Sequence, residues 1–190
     1  MIIALLLTMV CCIVLGMGVP TTATYCIMAA TCAPILMSPE IGVEMLAAHF
    51  FVFYFGIVAD ITPPVALAAY AGAAIAKAGP MKTAFNASRL AIAAFIVPYI
   101  IAMNPAMLFI NTTIPEVVMI TITSIIGIFG VAAGLSGFVF RNMKWWERIL
   151  CIVGGLTLLV PGSLTDIIGL VLVGAVCVLG YQAAKKEKEM

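Results

Sequence analysis

Two short polar interruptions bring hydroxyl groups, glycines and prolines into otherwise uncharged apolar sequence. They are residues 16–24 (GMGVPTTAT) and residues 60–64 (DITPP). Lipid cannot satisfy the backbone groups that a helix break frees at membrane depth, so such breaks persist only inside protein or beside a polar cavity. Paired helix breaks also mark the binding sites of secondary transporters. The pair therefore predicts a site for an ion or a small solute.

Oxygen atoms and helix ends at these breaks suit Na⁺ and a carboxylate. The N-terminus of a helix that restarts after a break presents unpaired amide hydrogens and a positive dipole end, which attract a carboxylate. Free carbonyl and hydroxyl oxygens suit a hard cation. The candidate groups are the hydroxyls of Thr21, Thr22, Thr24 and Thr62, and the backbone oxygens that Gly16, Gly18 and Ala59 allow to approach closely. The alternative is that each break is only a kink, satisfied by neighbouring helices.

Asp60 is the only carboxylate between Leu46 and Ala76, a stretch that also lacks Lys and Arg. An ionisable residue inside a membrane segment is a functional hypothesis by default. Asp60 could ligate a cation, carry a proton or cap the helix that restarts after it, and the sequence leaves these three roles open. His49 is expected to be packed or interfacial. Asp166, which follows a Pro-Gly turn, is expected to be the N-cap of the last helix.

Composition identifies an integral membrane protein. The chain has 190 residues, of which 65% are hydrophobic and 9% are charged, and its mean hydropathy is +1.26. Soluble domains carry about 25% charged residues, so this chain cannot cover a water-facing surface. A net charge of +1 gives no indication of nucleic-acid binding. The six cysteines show no C-x-x-C spacing and are expected to pack as small hydrophobes.

The apolar segments predict an all-α polytopic membrane protein in two parts. Residues 1–110 should hold a re-entrant hairpin (1–38), a broken helix (42–78) and a span (86–103). Pro63 and Pro64 lack amide hydrogens and fix φ, so the broken helix should stop near Asp60 and restart at Pro63.

Residues 111–190 are predicted to form a membrane extension. It should contain a span (116–140) and a helical hairpin (148–183), because residues 149–160 and 167–181 are each too short to cross a hydrocarbon core of about 30 Å. Four glycines at helical spacing on the span predict a packing face against another transmembrane helix. They are Gly127, Gly130, Gly134 and Gly137.

Three basic clusters predict the orientation of the chain. Cytoplasmic loops are enriched in Lys and Arg, and residues 104–115 contain neither. We therefore expect residues 104–115 to face outward, with all three clusters and the C-terminus in the cytoplasm. The clusters are Lys77, Lys82 and Arg89, then Arg141, Lys144 and Arg148, then Lys185, Lys186 and Lys188.

Several motifs resemble the large membrane subunit of TRAP transporters, the tripartite ATP-independent periplasmic transporters. The first three are residues 16–22 (GMGVPTT), 47–55 (AAHFFVFYF) and 61–70 (ITPPVALAAY). Residues 80–83 (PMKT) and 104–106 (NPA) extend the similarity. Residues 146–148 (WER) and 161–166 (PGSLTD) resemble the tail of the fused-permease branch, which works with TAXI-type binding proteins.

The resemblance implies a Na⁺-driven, elevator-type importer of carboxylates or related organic anions in a bacterial or archaeal inner membrane. A periplasmic TAXI- or TRAP-type binding protein would deliver the substrate. The Na⁺ ligands carried over are Gly16, Gly18, Thr21, Ala59 and Thr62, and substrate binding is assigned to Thr22, Thr24 and Pro63. No cofactor other than the coupling ion is expected. Enzyme activity is not expected either. A catalytic site would need a convergent set such as His with Asp or Glu, and the membrane segments offer only His49 and Asp60.

Transporters of this kind contain two inverted repeats, each with one hairpin and one broken helix. This chain contains one of each. We therefore expect it to be a C-terminal portion, with the other repeat in an N-terminal remainder of the permease. The alternative is a structural membrane subunit without a transport site of its own, which would not require hydroxyl-lined breaks.

Overall fold

A computed structural model describes the backbone of residues 1–160 and 162–189, and all of their side chains except those of residues 163, 184 and 186–189. In this part of the chain the regular structure is helical, and the only β pairing is an isolated bridge between Phe138 and Asn142. The prediction of an all-α membrane protein is confirmed at this level. The chain divides into two compact units, Met1–Leu108 and Phe109–Met190.

Unit 1 begins with a helical hairpin. Helix α1 (Ile2–Gly16) is followed by α2 (Thr21–Thr31) and a short α3 (Ala33–Leu36), and α1 packs against both. The turn between α1 and α2 places Gly18 at φ +74°, a left-handed conformation that glycine adopts without steric cost. Pro20 precedes α2 with an extended ψ of 139°. Proline has no amide hydrogen, so residue 20 cannot donate the backbone hydrogen bond by which α1 would continue.

The second break separates α4 (Met45–Val58) from α5 (Leu67–Ile75). Helix α4 ends in a single 3₁₀ turn, Ala59–Ile61. The expected restart at Pro63 is wrong, because the helix restarts at Leu67. A proline disfavours helical geometry in the residue before it, so Pro63 holds Thr62 extended (φ −99°, ψ 126°) and Pro64 acts on Pro63 in the same way.

Two further helices complete unit 1. Helix α6 (Pro80–Leu90) and α7 (Ile92–Met103) meet at Ala91 with a bend of 42°, and a 3₁₀ turn (Pro105–Leu108) follows. Helix α7 packs on α4 through aromatic edges, with Tyr99 centred 5.3 Å from Phe51 and 5.9 Å from Phe55. This aromatic cluster fixes the helix that carries the second break.

Unit 2 consists of α8 (Ile114–Ser136), α9 (Trp145–Thr157) and α10 (Ser163–Glu189). The predicted glycine packing face is confirmed for three of its four members. A Cβ on Gly127, Gly130 or Gly134 would lie 2.5–2.9 Å from the nearest atom of α9, α10 or the turn that joins them. Gly137 instead terminates α8 at φ +73°, so it acts as the C-cap and not as part of the face.

Helices α9 and α10 form an antiparallel pair. A Cβ on Gly154 of α9 would lie 2.7 Å from Leu172, and the ring of Tyr181 stands 5.6 Å from Phe140, just before α9. The chain thus returns to the end at which α9 begins. Residues 167–181 are not a short helix as expected, since α10 has 27 residues and Leu164–Ala183 is long enough to span a membrane. Because α10 begins at Ser163, Asp166 lies in its first turn and is not the N-cap; Pro161, part of the expected turn, lies outside the described residues.

Two arginines of the second basic cluster hold the α8–α9 connection together. The Glu147 side chain, only 4% exposed, pairs with Arg141 at 2.6 Å and accepts the Lys144 amide hydrogen at 2.8 Å. Arg148 donates to the carbonyl oxygens of Gly134 and Leu135, at 2.9 and 3.0 Å. These bonds satisfy carbonyls at the C-terminus of α8 that have no partner within the helix.

Candidate functional site

The two breaks meet inside unit 1. Gly16, the last residue of α1, lies against the end of α4, where a Cβ on Gly16 would be 2.9 Å from Ala59 Cβ and 3.1 Å from the Gly56 carbonyl oxygen. Thr24 of α2 closes the same contact, since its Cγ2 would lie 3.1 Å from a Cβ on Gly56. Glycine at positions 16 and 56 therefore permits the approach of the hairpin tip to the broken helix.

The structure brings together some of the predicted site residues and not others. Gly16, Thr24 and Ala59 are buried in one contact, whereas Asp60, Thr62 and Pro63 are half-buried at the second break. Three more lie exposed at the hairpin tip: Gly18, Thr21 and Thr22. Thr24, predicted for substrate binding, is thus packed among the residues predicted for Na⁺.

The two inward threonine hydroxyls donate to carbonyls freed by their own breaks. Thr62 Oγ1 donates to the Val58 carbonyl oxygen at 2.7 Å, and Thr24 Oγ1 donates to that of Val19 at 3.2 Å. Each hydroxyl proton is thereby committed, while the oxygen keeps its lone pairs. Such oxygens can act only as acceptors or cation ligands towards anything else that binds.

Hydroxyl groups from other helices satisfy the second break, and sequence reasoning missed them. Ser88 Oγ of α6 lies 2.9 Å from the Ile61 carbonyl oxygen and 3.1 Å from that of Ala84, and Tyr70 of α5 donates to the Pro64 carbonyl oxygen. In the sequence, each of the two residues is only a single hydroxyl group in a helix next to the break. These hydroxyls pair with carbonyls that the break leaves without a helical partner. For these carbonyls, the alternative interpretation of a simple kink satisfied by neighbouring helices is therefore sufficient.

Asp60 does not cap a helix. Helix α5 has Ala66 at its N-cap position without a side-chain cap, and in the part of the chain that the structure describes the Asp60 carboxylate makes no hydrogen bond or ion pair. The capping role left open by the sequence is therefore wrong, because the helix restarts too far along the chain. Cation ligation and proton transfer by this half-buried carboxylate stay predictions.

His49 packs against the hairpin, in line with the sequence expectation. Its Nδ1 lies 3.1 Å from the hydroxyl oxygen of Tyr25 on α2, and the Tyr25 ring meets Phe53 edge to face at 5.7 Å. These side chains line an open cleft of about 300 Å³ together with Leu46 and Phe50. The pair ties α2 to α4.

A larger cleft opens at the second break, on the side of α6 and α7. It measures about 620 Å³ and is lined by Thr62, Pro63, Pro64, Met81, Phe85, Ser88 and Phe95. Two of these residues, Thr62 and Pro63, belong to the sequence-predicted site. Among the described residues no group of three or more His, Cys, Asp or Glu side chains could hold a metal ion.

Comparison with known families supports a transport function. Residues 1–117 match the sequence model of the DctM component of the tripartite ATP-independent periplasmic transporters. Residues 117–179 match that of a domain of unknown function, DUF3394. No curated protein and no solved structure is significantly similar to the chain. The first match covers all of unit 1 and the start of α8, and therefore includes both breaks.

Proposed function

The chain belongs to the DctM family of TRAP transporters, the large membrane permease component, and we propose that its unit 1 couples Na⁺ to the uptake of an organic anion. The observation that carries the proposal is the contact between Gly16 and Ala59, which joins two breaks 43 residues apart in sequence. If each kink affected only its own helix, the two breaks would not need to lie in contact. The Gly56 carbonyl oxygen lies at this contact, and carbonyl and hydroxyl oxygens suit a hard cation.

In this proposal the cation binds at the meeting point of the breaks. Carbonyl oxygens around Gly16 and Ala59 and the hydroxyl oxygen of Thr62 are the ligands, and Asp60 supplies a negative charge close by. Carbonyls that already accept one hydrogen bond keep a second lone pair for the ion. Gly18, Thr21 and Thr22, exposed at the tip, complete the site against the other repeat, which the N-terminal remainder of the permease contributes. The two repeats would move the site by an elevator motion.

The partners follow from the family. A periplasmic binding protein, of the TAXI type by the motifs in the tail, delivers a carboxylate or related anion to the permease in the inner membrane. We further propose that α9 and α10 form a hairpin that leaves the C-terminus in the cytoplasm. Single cysteines replacing Lys144 and Lys185 in a cysteine-free protein should both resist an impermeant thiol reagent in intact cells. Labelling of one position alone would contradict this topology.

A transport assay tests the coupling. The complete permease is reconstituted in proteoliposomes with its binding protein, and uptake of ¹⁴C-labelled phenylacetate and succinate is measured under an inward Na⁺ or K⁺ gradient. We expect uptake of at least one probe under Na⁺ alone. Thr62→Val keeps the shape of the side chain and removes one oxygen. It should raise the half-saturating Na⁺ concentration at least tenfold, since a lost contact to a charged group costs about 1.5–3 kcal/mol.

The matched control is Thr83→Val. Thr83 makes the same kind of bond within its own helix, 3.0 Å to the Gly79 carbonyl oxygen, on α6 and away from the breaks. An unchanged Na⁺ dependence in both variants would remove Thr62 from the ion site. Absence of any Na⁺-driven uptake would favour the second candidate, a structural subunit, for which the satisfied carbonyls of Ile61 and Pro64 are the supporting observation.

A further inference from the structure

A small, largely enclosed cavity lies beside the buried ion pair of unit 2. Its walls come from the α8–α9 connection, from α9 and from α10, so it lies wholly within this unit. The polar wall is formed by Arg141 and Glu147, and most of the apolar wall by Phe140, Met143, Val176 and Gly180. The centre of a water-sized sphere has about 10 Å³ of free space there. This is room for one water molecule and for no larger ligand.

One N–H group of Arg141 has no hydrogen-bond partner in the part of the chain that the structure describes. It is the Nε–H, and its nitrogen is fully buried. The other two nitrogens of the guanidinium are engaged, since Nη1 donates to the Asn142 carbonyl oxygen at 2.9 Å and Nη2 donates to Glu147 Oε1 at 2.6 Å. A buried donor on a charged group bears the full cost of its lost hydration when it makes no hydrogen bond. Such a group calls for a partner.

Glu147 does not satisfy this N–H group directly. A carboxylate receives two parallel N–H groups of one guanidinium by offering one oxygen to each. Here Oε2 accepts the Lys144 amide hydrogen at 2.8 Å, so Oε1 alone bonds to the guanidinium, through Nη2. Both oxygens nevertheless keep lone pairs for a further donor. The cavity wall therefore presents an unused donor on a cation and unused acceptors on a carboxylate.

From this arrangement we infer that the cavity is a binding site for one structural water molecule. The water accepts a hydrogen bond from Arg141 Nε–H and donates one to the Glu147 carboxylate, so it bridges the two members of the ion pair. A free anion would be repelled by Glu147 and a free cation by Arg141, whereas a neutral donor and acceptor suits both. An apolar group in the same space would leave Nε–H unsatisfied. Because every residue in this inference belongs to unit 2, it does not depend on the transport function.

A glycine keeps the space for the water open. Among the described residues, a Cβ on Gly180 would meet only the ring of Phe140, at 4.0 Å, so alanine fits at this position without a clash. Phe140 lines the same cavity, and the added methyl group would therefore occupy space at the cavity. Any loss of stability in Gly180→Ala would then come from displacement of the water and not from overpacking.

A high-resolution cryo-electron microscopy map of the complete permease in lipid nanodiscs tests the site directly. We expect one spherical density at hydrogen-bond distance, about 2.7–3.2 Å, from both Arg141 Nε and a carboxylate oxygen of Glu147. The same density should be missing from the map of Gly180→Ala. An empty cavity in a parent map that resolves other buried waters would overturn the inference. So would a direct hydrogen bond from Nε to any protein group.

Thermal unfolding of two glycine variants provides a second, independent measurement. Gly174 lies on the same helix and outside the cavity lining, and a Cβ there would meet no atom within 4 Å. Gly174→Ala should therefore raise the melting temperature of the permease, because alanine favours helix over glycine. Gly180→Ala should lower it by at least about 2 °C, since Nε–H loses its partner. An equal rise for both variants would refute the water site.

Discussion

Replacing Gly16 by alanine tests the contact that joins the two breaks. The added Cβ would lie 2.9 Å from Ala59 Cβ and 3.1 Å from the Gly56 carbonyl oxygen, well inside the contact distance of about 3.5–4.0 Å between carbon atoms. Neither neighbour is the end of a flexible side chain, so the hairpin itself must shift. Overpacking of this kind costs about 1–3 kcal/mol, and Gly16→Ala should lower the free energy of unfolding by that amount.

The assay is thermal unfolding of the purified complete permease, combined with the Na⁺ dependence of uptake. Ala59→Gly removes the methyl group that Gly16→Ala would strike, so the double variant should be more stable than Gly16→Ala alone. For residues in contact we expect an interaction energy of about 0.5–3 kcal/mol. Recovery should be partial, because the Gly56 carbonyl remains 3.1 Å from the new Cβ.

Gly72→Ala is the matched control. A Cβ on Gly72 would meet no atom within 4 Å, and the residue lies inside α5. Because alanine favours helix over glycine by up to about 1 kcal/mol, this variant should be as stable as the parent or more so. If Gly16→Ala behaved like Gly72→Ala, the close approach would not exist in the working protein. If Ala59→Gly gave no recovery, the methyl contact would not be the cause of the loss.

Substitutions at three other positions test the surroundings of the breaks and the core of unit 2. Ser88→Ala leaves the Ile61 carbonyl without its partner and should raise the half-saturating Na⁺ concentration several-fold, whereas Ser88→Thr, which keeps the hydroxyl, should retain most of the parent value in the uptake assay. Asp60→Asn should abolish Na⁺-driven uptake at normal expression, since the amide lacks the charge that attracts the ion. Glu147→Gln leaves the largely buried Arg141 without its counter-ion. It should destabilise the protein by up to about 3–5 kcal/mol in thermal unfolding.

Each of the three has a control or an opposing outcome. Thr83→Val on the same helix as Ser88 should leave the Na⁺ dependence unchanged. Full uptake by Asp60→Asn would exclude both cation ligation and proton transfer by this residue. Glu116→Gln removes an exposed carboxylate that bonds to Thr112 at 2.9 Å, and its effect should be within about 0.5 kcal/mol. A similar small effect of Glu147→Gln would mean that the pair with Arg141 does not support unit 2.

Local chemistry made the breaks and the membrane class predictable from the sequence. Prolines without amide hydrogens and a glycine that must turn left-handed interrupt a helix wherever they occur, and 9% charge excludes a soluble surface. The glycine packing face was predictable for a similar reason, since helical spacing alone places Gly127, Gly130 and Gly134 on one side of α8. The sequence did not predict that Gly137 lies beyond the helix end, because helix ends depend on neighbouring groups as much as on propensity.

Only the tertiary structure decided which of the polar residues work together. Sequence position cannot tell that Thr24 packs inward while Thr21 and Thr22 stay exposed, because that depends on the rotation of α2 against α4. The partners of the freed carbonyls come from Ser88 and Tyr70, on helices that follow the break, and no local pattern links them to it. The sequence places Arg141 in a basic cluster but cannot show that it pairs with a buried Glu147, since charge alone does not reveal burial. Covalent geometry and composition thus fix where the chain must break and which solvent surrounds it, whereas long-range packing determines which freed groups still have room for a ligand.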